Sequence, residues 1–169
     1  WNDMNEPAVF DIKDATLPRD SLHYKEHEER EVHNLYGHMM ISATFDGLLQ
    51  RGLTQERPFI LTRSFFAGSQ RYAATWTGDN AATCEMLANS IQMVVSYGIC
   101  GMPFVGADIG GFFDNPDPEL LARWYQVGAW VYPFFRCHCH HLSVNREPYT
   151  LPEAYFERVK AAIKERYAL

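Results

Sequence analysis

Apolar residues fall along this chain in short blocks divided by Gly, Pro and Asn, and two spacings take turns. From Glu31 to Arg51, Val32, Leu35, Tyr36, Met39, Met40, Ala43, Leu48 and Leu49 recur near a helical period, with Gly52 as a stop. Similar helical patterns run from Thr83 to Ser96 with an end near Gly98, from about Glu119 to Gly128 behind Asn115-Pro116-Asp117-Pro118, and from Pro152 to Tyr167, where Ala154, Phe156, Val159, Ala162 and Ile163 line one stripe. Between them lie compact apolar runs with polar ends: Pro58 to Ser64, Tyr72 to Trp76, Gly101 to Val105 and Tyr132 to His138. Runs of that length read as strands buried on both faces. The polar stretch from Ala8 to Arg30 has no sustained period and reads as a long loop.

Strands alternating with helices predict an α/β fold with a parallel sheet. Polar residues gather just after each strand, at Asp3, Arg63, Asp79, Asp108 and His138. In a (β/α)8 barrel such positions converge on the face formed by the C-terminal ends of the strands. An open doubly wound sheet is the competing architecture, and no Gly-rich phosphate loop opens any of the helices. The barrel is the favoured expectation. A complete barrel needs roughly 250 residues, so 169 residues predict an incomplete one. The dense chemistry of Trp1-Asn2-Asp3-Met4-Asn5-Glu6-Pro7 at a terminus, without an initiator Met, points the same way, because chain ends usually fray.

Composition adds a core and removes several partners. Hydrophobic residues make up 47% and charged ones 21%, which excludes disorder. A net charge of −6 with no basic run gives no attraction for nucleic acid or an anionic membrane, and no apolar stretch approaches the ~18 residues of a membrane span. Cys84, Cys100, Cys137 and Cys139 are too few and too unevenly spaced for a disulfide framework.

Asp3 and Asp79 each follow a strand end that carries aromatic residues, and paired carboxylates are the minimum equipment for cleaving a glycosidic bond. An isolated Asp is more often a helix cap or a surface ion pair; a shared strand-end location is what lifts these two above that. Glu6, three residues after Asp3, is the other carboxylate near the N-terminus. Arg63, directly after a buried strand, needs a carboxylate or a ligand to offset its burial. Trp76 and Phe112 suit stacking on a sugar ring, with simple core packing as the alternative. Asp108 sits in a turn from Gly106 to Gly111 whose glycines permit close backbone approach, or it merely stabilises that turn.

Arg136-Cys137-His138-Cys139-His140-His141 has the residue types of a metal site. Alternation along an extended chain sends Arg136, His138 and His140 one way and Cys137 and Cys139 the other, so they cannot encircle one ion. His138 is better suited to binding a sugar hydroxyl.

These residues together resemble glycoside hydrolase family 31. Trp1-Asn2-Asp3-Met4-Asn5-Glu6 is similar to that family's nucleophile signature, and Arg57-Pro58-Phe59-Ile60-Leu61-Thr62-Arg63-Ser64-Phe65-Phe66-Ala67-Gly68-Ser69-Gln70-Arg71, continuing to Trp76-Thr77-Gly78-Asp79-Asn80, is similar to the region holding its substrate-binding Arg and its acid/base. The resemblance implies that Asp3 is the nucleophile and Asp79 the general acid/base. It further implies that Trp1, Met4, Arg63, Trp76, Asp108, Phe112 and His138 form the glucose subsite. It implies a catalytic barrel present only as about its fourth to eighth strands, with the first strands and the flanking β-domains missing. Such a segment made alone is expected to be inactive and poorly stable.

The implied activity is a retaining exo-α-glucosidase without metal or organic cofactor. The wording around Phe65 to Arg71 and Arg146-Glu147-Pro148 leans towards the glucose-trimming branch that acts on N-glycans in the lumen of the endoplasmic reticulum, with a non-catalytic β subunit as partner and no membrane insertion. A maltase, α-xylosidase or transglycosylase of the same family, or a non-catalytic glycan-binding relative, are the alternatives.

Overall fold

The computed structural model describes residues 1–52 and 56–169, which divide into two compact units, Trp1–Thr75 and Trp76–Leu169.

The first unit is built around helix α1, Glu29–Arg51. Its start is tied down twice: Glu31 Oε2 accepts the Glu28 backbone N–H at 2.9 Å, and the buried Glu29 carboxylate is hydrogen-bonded to His23 at 2.6 Å and His33 at 2.7 Å. Glu31 thus takes up a backbone N–H at the helix entrance, the Glu29 and Arg30 N–H groups go to the Ser21 and Arg19 carbonyls, and the two histidines give the buried Glu29 carboxylate its partners. The stretch before it is the loop expected, with single bridges at Ala8–Thr16 and Leu22–Glu28 and one 3-10 turn at Tyr24–Glu26. The helix is where the periodicity places it, but its buried face is not the one the large apolar residues suggest. Ile41 packs with Ile60 and Ala73, flanked by Phe45, Leu48 and Tyr72, whereas Leu35, Met39 and Leu49 are exposed.

Gly37 supplies the reason. A Cβ there would lie 2.6 Å from Ser64 Oγ and 2.9 Å from the Asn5 carbonyl, so α1 comes close on the face where its side chain is smallest.

Strand β1, Leu61–Thr62, pairs in parallel with β2, Ala74–Trp76, in the register Leu61↔Ala74 and Thr62↔Thr75. Asn2 bridges Thr62 in parallel on the other side, through Asn2 N–H to Leu61 O at 2.8 Å and Arg63 N–H to Asn2 O at 3.1 Å. Asp3 and Arg63 therefore both follow directly on the ends of parallel segments.

In the second unit, the chain leaving β2 donates Thr77 N–H to Gly106 O at 3.1 Å, in strand β3, Val105–Gly106. Helix α2, Cys84–Ile99, opens on Thr83, whose hydroxyl accepts Met86 N–H at 3.1 Å. It closes in a Schellman arrangement: Gly101 has φ +88, with Gly101 N–H to Gly98 O at 3.2 Å and Met102 N–H to Tyr97 O at 2.8 Å. Helix α3, Pro118–Trp130, is capped by Asp117, which accepts Leu120 N–H at 2.8 Å. It packs against α4, Glu153–Ala168, and the core joins Val94, Val105, Ile109, Leu120, Leu121, Trp124, Tyr125, Tyr132 and Val159.

The strands are shorter than the apolar runs that announce them. Pro58 to Ser64 pairs only at Leu61–Thr62, and Gly101 to Val105 contributes Val105 with Gly106. Tyr132 to His138 is not a strand at all; only Arg136 bridges, in parallel, to Asp108, with Ile109 N–H on Arg136 O at 3.0 Å. Pro133 has no N–H to give a ladder. Tyr132 turns into the core and shares a hydrogen bond with Ser90, and Phe134 O lies so close that a Cβ on Gly106 would meet it at 2.0 Å. Burial rather than pairing makes this run apolar.

Candidate active site

In the first unit the turn Asp3 to Glu6 is clamped onto the end of β1. Asn5, fully buried, donates to Thr62 Oγ1 at 2.9 Å and accepts Ser64 N–H at 3.0 Å, while Thr62 Oγ1 donates to Ser64 O at 2.7 Å. Each polar group buried by the clamp has a partner, as a water-poor position demands. Met4 sits in the left-handed region at φ 54 and donates its N–H to Asp3 Oδ1 at 2.9 Å. A side-chain-bearing residue there costs about 1–2 kcal/mol, which the surrounding hydrogen bonds offset. Arg63 reaches Asp3 Oδ1 through Nη1 at 3.2 Å and holds both oxygens of Glu6, through Nε at 2.8 Å and Nη2 at 3.0 Å. Asp3 and Arg63, expected together, are together; Trp1 and Met4 flank them in the sequence and are exposed.

In the second unit Asp79 follows Gly78, which has φ +76, and is exposed beyond β2. The next residue, Asn80, is buried and fastens this turn to the loop carrying Phe112: its carbonyl accepts the N–H groups of Phe112 at 2.7 Å and Phe113 at 2.9 Å, and its side chain accepts Phe112 N–H at 3.1 Å. The Phe112 and His138 rings lie tilted with centroids 5.3 Å apart. Asp108 is completely buried and paired with Arg136 Nε at 2.6 Å, and the Arg136 guanidinium sits 4.8 Å over the Trp76 ring. Asp108 is thus more than a turn former: Gly111 N–H goes to its backbone carbonyl at 3.1 Å, leaving the carboxylate to the guanidinium.

The alternation argued for residues 136–141 holds where it matters. Arg136 goes to Asp108 and His138 to Phe112, while Cys137 packs on the core with its sulfur 2.7 Å from Tyr125 Oη. Burial raises the pKa of the Cys137 thiol, so it remains protonated.

Sequence reasoning passed over two cations and one carboxylate. Arg136 appeared only as part of a suspect cluster, although an Arg at a strand end invites the same argument as Arg63. Glu6 reads in the sequence only as a second carboxylate near the N-terminus, with nothing to tie it to Arg63. Arg146 left no signal but its wording; it is 1% exposed and gives hydrogen bonds to the carbonyls of Gly111, Asp114 and Val144 and to Asn115 Oδ1. Cavities of about 420 and 590 Å³ in the first unit lie along α1 and the loop before it, and none of the proposed site residues lines them.

The family model for the glycosyl hydrolases family 31 TIM-barrel domain matches residues 1–169. The chain belongs to glycoside hydrolase family 31. It is 54% identical over 170 aligned positions to a Saccharomyces cerevisiae protein named glucosidase 2 subunit alpha, covering 100% of this chain and 18% of that one. The crystal structure of a glucosidase II alpha subunit in an alpha3-Glc2-bound form superposes with a TM-score of 0.94 at 54% identity, over 99% of this chain and 18% of that chain. A crystal structure of an ER glucosidase II heterodimeric complex, of a catalytic subunit with the binding domain of a regulatory subunit, does so with a TM-score of 0.95 at 54% identity, over 100% and 18%. The family 31 chain described here thus spans about 18% of the length of the curated relatives it matches.

Proposed function

We propose that this chain supplies the catalytic carboxylates of a retaining exo-α-glucosidase, with Asp3 as nucleophile and Asp79 as general acid/base. The observation that carries the reading is the Asp3–Arg63 pair at the ends of parallel segments, within a chain of a glycosidase family. Asp3 attacks the anomeric carbon while the Asp79 carboxyl protonates the departing glycosidic oxygen, giving a β-glucosyl ester on Asp3 and free aglycone. Asp79, now ionised, takes a proton from water, which attacks the same carbon, releases α-glucose and frees the Asp3 carboxylate. Retention requires the two carboxyl groups about 5 to 5.5 Å apart across the sugar.

Trp1, Met4, Arg63, Trp76, Asp108, Phe112 and His138 form the glucose subsite in this proposal. The left-handed backbone at Met4, beside the nucleophile, fits a residue held for function at some cost in strain. Trp76 and Asp108, locked by one guanidinium, and Phe112 against His138 are ordered before substrate arrives, which favours binding a rigid pyranose. Likeness to glucosidase II alpha subunits supports terminal α-linked glucose on N-glycans as the substrate, the endoplasmic reticulum lumen as the place, and a non-catalytic regulatory subunit as partner. The chain is proposed to provide about strands 4 to 8 of the (β/α)8 barrel. Exposed Leu35 and Met39 on α1, beside the 590 Å³ cavity, suit cover by further barrel elements.

Azide tests the role of Asp79. In the full-length protein, Asp79→Ala turns over an aryl α-glucoside slowly, because the ester on Asp3 forms without acid help but water lacks its base. Azide, needing no base, attacks the ester and yields α-glucosyl azide with restored turnover. Wild-type turnover in the variant, or β-configured azide product, refutes the assignment.

A further inference from the structure

The turn that carries Asp3 also carries a carboxylate for which the proposed chemistry has no use. Glu6 is not loosely placed. Its neighbour Asn5 is buried and fastened to Thr62 and Ser64, the residues on either side of Arg63, so the backbones bearing Glu6 and Arg63 are fixed to one another by hydrogen bonds that bypass both side chains. The contact between them is a two-point fork, Nε to Oε1 at 2.8 Å and Nη2 to Oε2 at 3.0 Å, while Nη1 of the same guanidinium lies 3.2 Å from Asp3 Oδ1. A fork defines the plane of a guanidinium, which a single contact does not. With that plane set by Glu6, the position of Nη1 relative to Asp3 follows.

Exposure decides between a stabilising and an orienting role. The side chains of Arg63, Glu6 and Asp3 are 20%, 36% and 31% exposed, so water screens these pairs and their contribution to folding is small. Geometry is what the arrangement provides.

We infer that Glu6 is a positioning residue: it fixes the plane of Arg63 and, through it, the placement of the Asp3 carboxylate, without touching substrate. This rests on the reading of Asp3 as nucleophile. Glu6 is isolated from the attack on the anomeric carbon by the guanidinium between the two carboxylates, so its removal acts only as far as Arg63 acts.

A double-mutant cycle in the full-length protein, read as kcat/KM on an aryl α-glucoside, tests this directly. Glu6→Gln, which keeps the shape of the side chain but loses one of the two acceptors, lowers kcat/KM by roughly 10- to 100-fold, with a thermal midpoint close to that of the parent. Arg63→Ala lowers it further, and the double variant is no worse than Arg63→Ala alone. Added guanidinium restores part of the turnover of Arg63→Ala and fails to do so in the double variant, because the cradle that orients it is gone. Should Arg63→Ala fail to fold, Arg63→Lys, which keeps the charge without the fork, takes its place in the cycle with the same expectation. Losses that multiply, or guanidinium rescue independent of Glu6, overturn the inference. Asp3→Asn separates it from the reading beneath it: turnover retained there removes the nucleophile, whereas an inactive Asp3→Asn with multiplying Glu6 and Arg63 losses removes the positioning role alone.

Discussion

Asp3→Asn in the full-length protein loses kcat by roughly 10⁴-fold or more, the scale on which removal of a covalent nucleophile is felt. The substituted amide keeps the volume of the side chain and can still accept Met4 N–H, so the turn that Asn5 clamps onto Thr62 and Ser64 is left in place. Folding is therefore unaffected while chemistry stops. The stereochemistry of rescue gives a second readout. In Asp3→Ala the vacated space admits azide, which attacks the anomeric carbon of an activated aryl α-glucoside from the side opposite the leaving group. The product is β-glucosyl azide, the opposite anomer to the α-product expected from the Asp79 variant, and the pair of outcomes assigns each carboxylate its step. Unchanged turnover in Asp3→Asn, or the same azide anomer from both variants, removes the mechanism.

Arg146→Ala produces the largest expected loss of stability, about 3 to 5 kcal/mol, of the size seen when a buried polar network loses its centre. The guanidinium is buried among acceptors that belong to the chain's own backbone: Gly111, Asp114 and Val144 carbonyls, with the Asn115 side chain. Removing it strands several carbonyls and opens a void beside Gly110, whose absent Cβ would lie 3.0 Å from Arg146 Cδ. The segment it holds is the loop carrying Phe112, so the variant combines a lower thermal midpoint with a raised KM. Arg146→Lys keeps charge and stem and loses the fork, and it falls between the two. A midpoint and KM unchanged in Arg146→Ala would show that Asn80 alone holds this loop.

The site was legible where its chemistry is written in consecutive residues. Asp3 and Arg63 read out correctly as strand-end groups because a parallel pair places residues directly after each strand at one edge, a consequence of period and order alone. Thr83 and Asp117 likewise announce their helices by capping chemistry that needs only neighbours a few residues away. The last apolar run failed as a strand because its hydrophobicity reports burial. Tyr132 and Phe135 pack into the core around α3, and only Arg136 meets a partner backbone. Helix α1 misled in a related way. Its large apolar residues mark surface that is open in this chain, whereas its close face is set by Gly37, the residue with no side chain to count.

By itself the sequence determined the α/β order and the family and nominated the residues of the proposed chemistry, since helical period, capping pairs and the Trp1 to Glu6 and Arg63 to Asp79 motifs are local in the chain. Only the tertiary structure decided what holds those residues: Glu6 forking Arg63, Arg136 shared by Asp108 and Trp76, Arg146 beneath the Phe112 loop. Each is a cation with partners tens of residues away. A buried or half-buried guanidinium must find acceptors somewhere, and composition and spacing require that partners exist without saying which; the packed backbone alone brings particular carboxylates and carbonyls within reach.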